Sequence, residues 1–247
     1  MKNPILSALI LLISLAAANA APRTIQVFVA LCDNESQGIA PVPARIGDGN
    51  KPDANLYWGC SDGLASFFKQ SSRWKLVKTE KEVTADILVR LQFKHASADL
   101  QLTASAYRGT AIESCVKDFE ATLAKGEDAL VAYIGHNGLM DFKLAPPARG
   151  SDKRPAAVVL CCLSESYFKE RIVSAGGKAI LLTDQFMYPG SFLLHDAVEA
   201  WRQGKPLADI RAAAGRAYAR NQKIPVQAAT GVFAKHEKKG KYITACR

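Results

Sequence analysis

Two short stretches of the chain carry the residue types that nucleophilic acyl transfer needs. One reads Tyr133-Ile134-Gly135-His136-Asn137-Gly138, the other Val159-Leu160-Cys161-Cys162-Leu163-Ser164-Glu165-Ser166. Each follows an apolar run, Asp128 to Ile134 and Ala156 to Leu160, of the kind that predicts a buried strand. In an open α/β sheet, functional groups gather where strands end at their carboxyl edge. Neighbouring parallel strands would set the two tips about 5 Å apart, with an imidazole and a thiol facing one cleft. A free thiol titrates near about 8.5, and an imidazolium or a helix N-terminus draws it toward the reactive thiolate. A helix expected from about Ser166 would add the second of these effects. Glycines flanking His136 let a substrate backbone come close, and backbone N–H groups beyond each strand can hold an oxyanion. Taken singly, Cys162 reads as a small buried hydrophobe and His136 as a loop histidine. On consecutive strand tips they read as a catalytic pair. Cys161 points the other way, into the core, because side chains alternate along a strand.

The elements that must position this pair follow from hydrophobic periodicity. Thr24 to Leu31 predicts a mostly buried strand, followed by a Gly/Pro-punctuated loop from Asp33 to about Asn55. Leu56 to Gln70 predicts a helix. Trp74 to Thr79, Ala85 to His95 and Leu100 to Tyr107 predict further strands, some of them paired antiparallel. Ile112 to Lys125 has helical spacing and is stopped by Gly126. After the two site strands come a helix to about Ser174, a strand over Lys178 to Thr183, and amphipathic helices over Ser191 to Arg202 and Leu207 to Asn221. Alternation of this kind predicts an α/β fold, a mostly parallel central sheet sandwiched by helices with an antiparallel β insertion. No repeat or linker divides it, so one domain is expected over 21–247.

The chain has 247 residues, 49% hydrophobic and 22% charged, which excludes a disordered, collagen-like, coiled-coil or polytopic membrane protein. Lys2, the apolar run Pro4 to Ala18 and Ala18-Asn19-Ala20 have the form of a signal peptide cleaved after Ala20. The run is too short to span a bilayer, so stable membrane insertion is not expected. Export to the periplasm or beyond would follow. All six cysteines, at 32, 60, 115, 161, 162 and 246, would be retained. An oxidising compartment allows two disulfides among them, though adjacent Cys161 and Cys162 are not expected to pair with each other. The net charge of +9 favours anionic surfaces only through its long-range field. The basic residues are dispersed, and no aromatic RNA-binding block occurs, so nucleic acid is not an expected partner. The stretch Lys235 to Lys241 concentrates positive charge and reads as a solvated tail.

Other motifs are weaker. Gly59-Cys60-Ser61-Asp62-Gly63 matches the G-x-S-x-G nucleophile elbow, but the strand that motif requires is missing before it. Ser61 or Asp62 reads instead as a helix cap. The histidines at 95, 136, 195 and 236 have no metal-ligand spacing, and no dinucleotide or phosphate loop is present, so neither metal nor cofactor is expected. His195, beside Asp196 on an apolar helix, reads as a core or cap residue.

The two site segments resemble the caspase–haemoglobinase superfamily of cysteine peptidases. In that family one hydrophobic strand ends in His-Gly and a later one in Ala-Cys or a similar pair. Cys161-Cys162-Leu163-Ser164-Glu165-Ser166-Tyr167-Phe168 is similar in outline to the legumain branch's Ala-Cys-Glu-Ser-Gly-Ser-Met-Phe. The chain departs from the pattern in placing Asn137 between His136 and Gly138, and in an interval of 26 residues (162 − 136) that is short for the family. The resemblance implies a caspase-like fold and hydrolysis of peptide bonds. Cys162 would be the nucleophile and His136 the proton donor to the leaving group, with no obligatory third member. The N–H groups of Cys162 and of the residues just after His136, Asn137 and Gly138, would form the oxyanion side. Relatives that cleave after Arg or Lys place a carboxylate in the first specificity pocket, for which Asp33, Glu35, Asp62 and Asp184 are the candidates. The expected partner is a protein or peptide substrate. The other function class is a noncatalytic caspase-like binding protein facing the envelope or a host, since a fold does not guarantee activity.

Overall fold

The computed structural model describes residues 22–235; the expected leader, Cys246 and all of the basic tail beyond Lys235 lie outside the described residues. Seven strands form one sheet: β1 (Arg23–Ala30), β2 (Trp74–Lys81), β3 (Ile87–His95), β4 (Leu100–Tyr107), β5 (Leu130–Ile134), β6 (Ala156–Leu160) and β7 (Lys178–Leu181). Their spatial order is β2-β3-β4-β1-β5-β6-β7. The five strands from β4 to β7 in that order are parallel, and β3 and β2 add antiparallel at one edge. The chain leaves β1 on one side and returns to β5 on the other. The carboxyl edge beside β1 and β5 is therefore a topological switch point, where such sheets open a crevice.

Strand alternation sorts the core into two layers. Ile25, Val27, Val29, Ala132, Ile134, Val158 and Leu160 face one way, against α1 (Leu64–Gln70), α4 (Phe192–Arg202) and α5 (Leu207–Gln222). Phe28, Ala30, Val131, Tyr133, Val159 and Cys161 face the other, against α2 (Ile112–Lys125) and α3 (Ser164–Ser174). β5 and β6 are buried at every position, which is why they read as unbroken apolar runs. β2, the edge strand, carries Lys75, Lys78 and Lys81 exposed and Glu80 half-buried, a charge pattern that discourages further strand pairing. Among the described residues no helix is long and apolar enough to cross a membrane.

Two expectations are corrected, and one helix is added. The helix expected from Leu56 begins only at Leu64, because Leu56–Gly63 folds into turns pinned on Asn55. The Asn55 side chain accepts the N–H groups of Cys32 and Tyr57, and a side chain at Gly59 would lie 2.1 Å from the Asp53 carbonyl. Neither Ser61 nor Asp62 caps α1, whose N-cap is Gly63 without a side-chain bond; Asp62 instead accepts a 2.9 Å bond from Asn221. A short sixth helix, α6 (Val226–Gly231), was not foreseen.

His95 ends β3 with its ring edge-on to Trp74, 5.0 Å between centroids, and with 4% of its surface exposed. Burial, followed by the charge of Arg202, holds its pKa below the ordinary 6.5 against the opposing pull of Glu199. The unfolded chain thus takes up this proton first, and stability falls as pH drops below about 6.5. At Asp196 and Glu199 burial works upward but is outweighed, by His195 and Arg220 at the first and by Arg202 and Gln203 at the second. Both pKa values lie below their ordinary 3.8 and 4.5. Their contribution is present above those values and is lost as pH falls further. Thermal melts are expected to show two acid steps, and His95→Gln to flatten only the one that sets in as pH falls below about 6.5.

Candidate active site

The registers of β1, β5 and β6 build the site. Ile134 pairs with Leu160 at the end of the β5–β6 ladder, so His136 and Cys162 each stand two residues beyond a paired position. Gly135 makes the exit from β5: its φ is +152°, and a side chain there would press to 2.9 Å from the Ala30 carbonyl. Beyond it, the Tyr133 hydroxyl donates 2.7 Å to the His136 carbonyl. Tyr133 is itself fully buried and stacked on Phe168 at 5.7 Å. Asn137 ties one tip to the other, its Nδ2 donating 2.8 Å to the Cys162 carbonyl.

The imidazole of His136 is 8% exposed, and its Nε2 lies 2.7 Å from Asp141 Oδ2. A carboxylate only accepts, so Nε2 carries the proton in this contact and Nδ1 is the nitrogen outside it. The same Asp141 oxygen accepts the Gly38 N–H at 2.9 Å, locking the loop after β1 onto the site. Sequence reasoning missed Asp141. It follows the 3₁₀ turn Gly138–Met140, and its only sequence signal is an acid five residues past the histidine.

Cys162 is a free, half-buried thiol. Its sulfur lies 3.4 Å from the Met187 N–H, which donates to it, and 3.6 Å from the Met187 carbonyl. The next residue, Leu163, takes a left-handed conformation (φ 53°, ψ 33°) that makes the sharp turn into α3. For a branched residue this conformation costs about 1–3 kcal/mol. The turn is held by a bond from Leu163 N–H to the Gln185 carbonyl and by reciprocal bonds between Ser164 and Thr183. Thr183 also takes the N–H groups of Ser164 and Glu165, the first two of α3. The helix therefore begins at Ser164, earlier than expected, and its leading donors are already engaged. The N–H that meets the sulfur is Met187's.

The structure separates the remaining candidates. The Gly138 N–H is taken by the His136 carbonyl at 3.1 Å, and the Asn137 side chain is fully buried. The Gly138 N–H expected on the oxyanion side is therefore not free in the form foreseen. Asp33 is 6% exposed; it turns inward to accept the Glu35 N–H and the Ser36 hydroxyl, which organises its own loop. Glu35 is exposed beside it. Asp184, in the segment that runs past Cys162 to Met187, has a buried carboxylate oxygen, Oδ1, without a hydrogen-bond partner.

Further thiols and phenols surround the same edge. Burial, then the charges of the Cys32 and Cys162 thiols and the Tyr188 phenol, drives the Tyr57 pKa well above 10.0. Burial pushes the Cys32 thiol up to about 11 and raises those of Cys115 and Cys161 as well. These three thiols stay protonated at neutral pH and are poor nucleophiles. All five cysteines among the described residues are unpaired. Tyr133→Phe removes the anchor of the His136 carbonyl and is expected to lower stability by about 1–2 kcal/mol, read from urea melts. Comparison of the chain with protein-family models, with curated proteins and with solved structures returned no match.

Proposed function

We propose that the chain is an exported cysteine peptidase of the caspase–haemoglobinase type, working through Cys162 and His136. One observation carries the proposal: the Ile134–Leu160 register sets both side chains the same number of steps beyond adjacent parallel strands. The arrangement of β4, β1, β5, β6 and β7, with the His- and Cys-bearing strands side by side, is consistent with a caspase-like sheet.

In this mechanism the Cys162 thiolate attacks the scissile carbonyl carbon, while the Cys162 N–H polarises the oxygen. His136, having taken the Cys162 proton at Nδ1, gives it to the departing amine, leaving a thioester. Water then adds to the thioester with His136 taking the proton, and the carboxylic acid leaves as the thiol reforms. Asp141 keeps the imidazole in the tautomer and orientation that this traffic needs.

Asp184 supports a preference for Lys or Arg at the cleavage site. The Asp33 and Asp62 carboxylates already accept hydrogen bonds from the protein, whereas Asp184 Oδ1 is buried and unmatched. A basic side chain would supply the missing donors. The test is a fluorogenic tetrapeptide library differing at the residue before the bond. Cleavage after Lys or Arg, reduced about 10²-fold in Asp184→Asn, supports both statements. Cleavage after other residues alone would overturn the specificity. A Cys162 that reacts with no peptidyl acyloxymethyl ketone would overturn the peptidase and leave the noncatalytic binding protein.

A further inference from the structure

A second constellation sits at the opposite edge of the sheet. β2 begins and β3 ends at Trp74 and His95, which pair with each other, and β4 begins at Leu100. These positions mark the amino edge of the parallel strands, away from the tips that carry His136 and Cys162. Ser71, just after α1, places its Oγ 2.8 Å from His195 Nε2. His195 Nδ1 lies 3.0 Å from Asp196 Oδ1. We infer that Ser71, His195 and Asp196 form a second hydrolytic site, a serine triad acting on small carboxylic esters.

The polarity of the chain of hydrogen bonds is settled by chemistry. The Asp196 carboxylate can only accept, so Nδ1 carries the ring proton and Nε2 is left to accept from the Ser71 hydroxyl. That is the direction a serine nucleophile requires. The Ser71 oxygen also accepts the Arg73 N–H at 3.1 Å, a contact that favours negative charge building on it. The imidazole is fixed by the edges of Phe67 and Phe68, at centroid distances of 5.3 and 5.6 Å. The carboxylate is fixed by Arg220, 2.6 Å from its second oxygen.

Ser71 and His195 open on a cleft of about 380 Å³ lined also by Phe67, Gln70 and Arg73. Phe67 offers an apolar wall to a short acyl chain. Arg73, whose guanidinium stands 3.7 Å from Asp196, offers positive charge at the rim for a developing oxyanion. In the reaction the Ser71 oxygen bonds to the ester carbonyl carbon as its proton passes to His195. The alcohol leaves with that proton, giving an acyl-serine. Water then adds, returns a proton through His195, and releases the carboxylic acid, so that ester and water become acid and alcohol.

The experiment uses the full protein with its thiols capped by iodoacetamide, which removes any contribution from Cys162. A fluorophosphonate probe is expected to label Ser71, located by peptide mass spectrometry. Ser71→Ala is expected to abolish the label and to lower p-nitrophenyl acetate hydrolysis about 10²-fold or more. Asp196 is a positioning residue: Asp196→Asn lowers kcat about 10²-fold with KM unchanged, and Asp196→Glu restores part of it. Ser71→Thr keeps a hydroxyl for the Arg73 N–H and so guards against a folding defect in Ser71→Ala. Absence of label on Ser71 in the folded wild-type protein, or undiminished hydrolysis in a folded Ser71→Ala protein, overturns the assignment.

Discussion

Cys162→Ala and His136→Ala are each expected to lower cleavage of Lys- or Arg-containing peptides by about 10³-fold or more, with circular dichroism unchanged. The first deletes only a half-buried sulfur whose contacts are to the Met187 backbone. The second removes the ring but leaves the Tyr133–His136 carbonyl bond and the Asn137 tie in place, since neither uses the imidazole. The effect on rate should therefore far exceed the effect on folding. Asp141→Asn separates position from chemistry. Its amide can turn a donor toward Nε2, which favours the other tautomer, and a loss of about 10²-fold is expected. The Asp141 side chain is 30% exposed, so its replacement leaves no deeply buried orphan. Peptide hydrolysis together with thermal melts of the three proteins is the check.

Arg171→Ala is expected to be the most damaging single change to the scaffold that carries the site. The Arg171 guanidinium meets Glu120 with two bonds, Nε to Oε1 at 2.5 Å and Nη2 to Oε2 at 2.8 Å, joining α3 to α2. It also donates to the carbonyls of Leu144 and Ala145, in the segment between Asp141 and β6. Glu120 is 6% exposed and Arg171 17%. Removing the arginine strands a buried carboxylate and two carbonyls, a loss of about 3–5 kcal/mol. For a chain of this size that lowers Tm by about 10 °C. The double variant Glu120→Leu with Arg171→Met should recover most of that loss, because two apolar side chains leave no unpaired charge. A double-mutant cycle by urea denaturation measures both outcomes. Because α3 leaves directly from Leu163, peptide cleavage by Arg171→Ala should also fall.

Much of this arrangement was legible in the residues, for identifiable reasons. The site strands are buried on both faces, so their apolar runs were unambiguous, and each ended in a residue with chemistry. Ile112–Lys125 was read with its bounds intact because an amphipathic stripe ran up to Gly126, whose φ of +65° ends the helix. Leu56–Gly63 was misread because its apolar residues mimic a helical stripe, while the turns depend on a distant partner, the contact of Asn55 with Cys32. Asp141 and the Met187 N–H were invisible for a related reason. One is a loop acid without a pattern, and the other is a backbone group brought to Cys162 from 25 residues away. His195 was read as a core or cap residue, and its side chain is buried. Its bond to Ser71 spans 124 residues, a separation that only the packing of α4 against the end of α1 can bridge.

The most direct test of the Cys162–His136 pair is iodoacetamide labelling of the native protein at neutral pH, with each cysteine followed by mass spectrometry. Cys162 is expected to react about ten-fold or more faster than half-buried Cys60, with Cys32, Cys115 and Cys161 protected by burial, and to lose that advantage in His136→Ala. A Cys162 no faster than Cys60, or one whose rate is indifferent to His136, would contradict a catalytic pair.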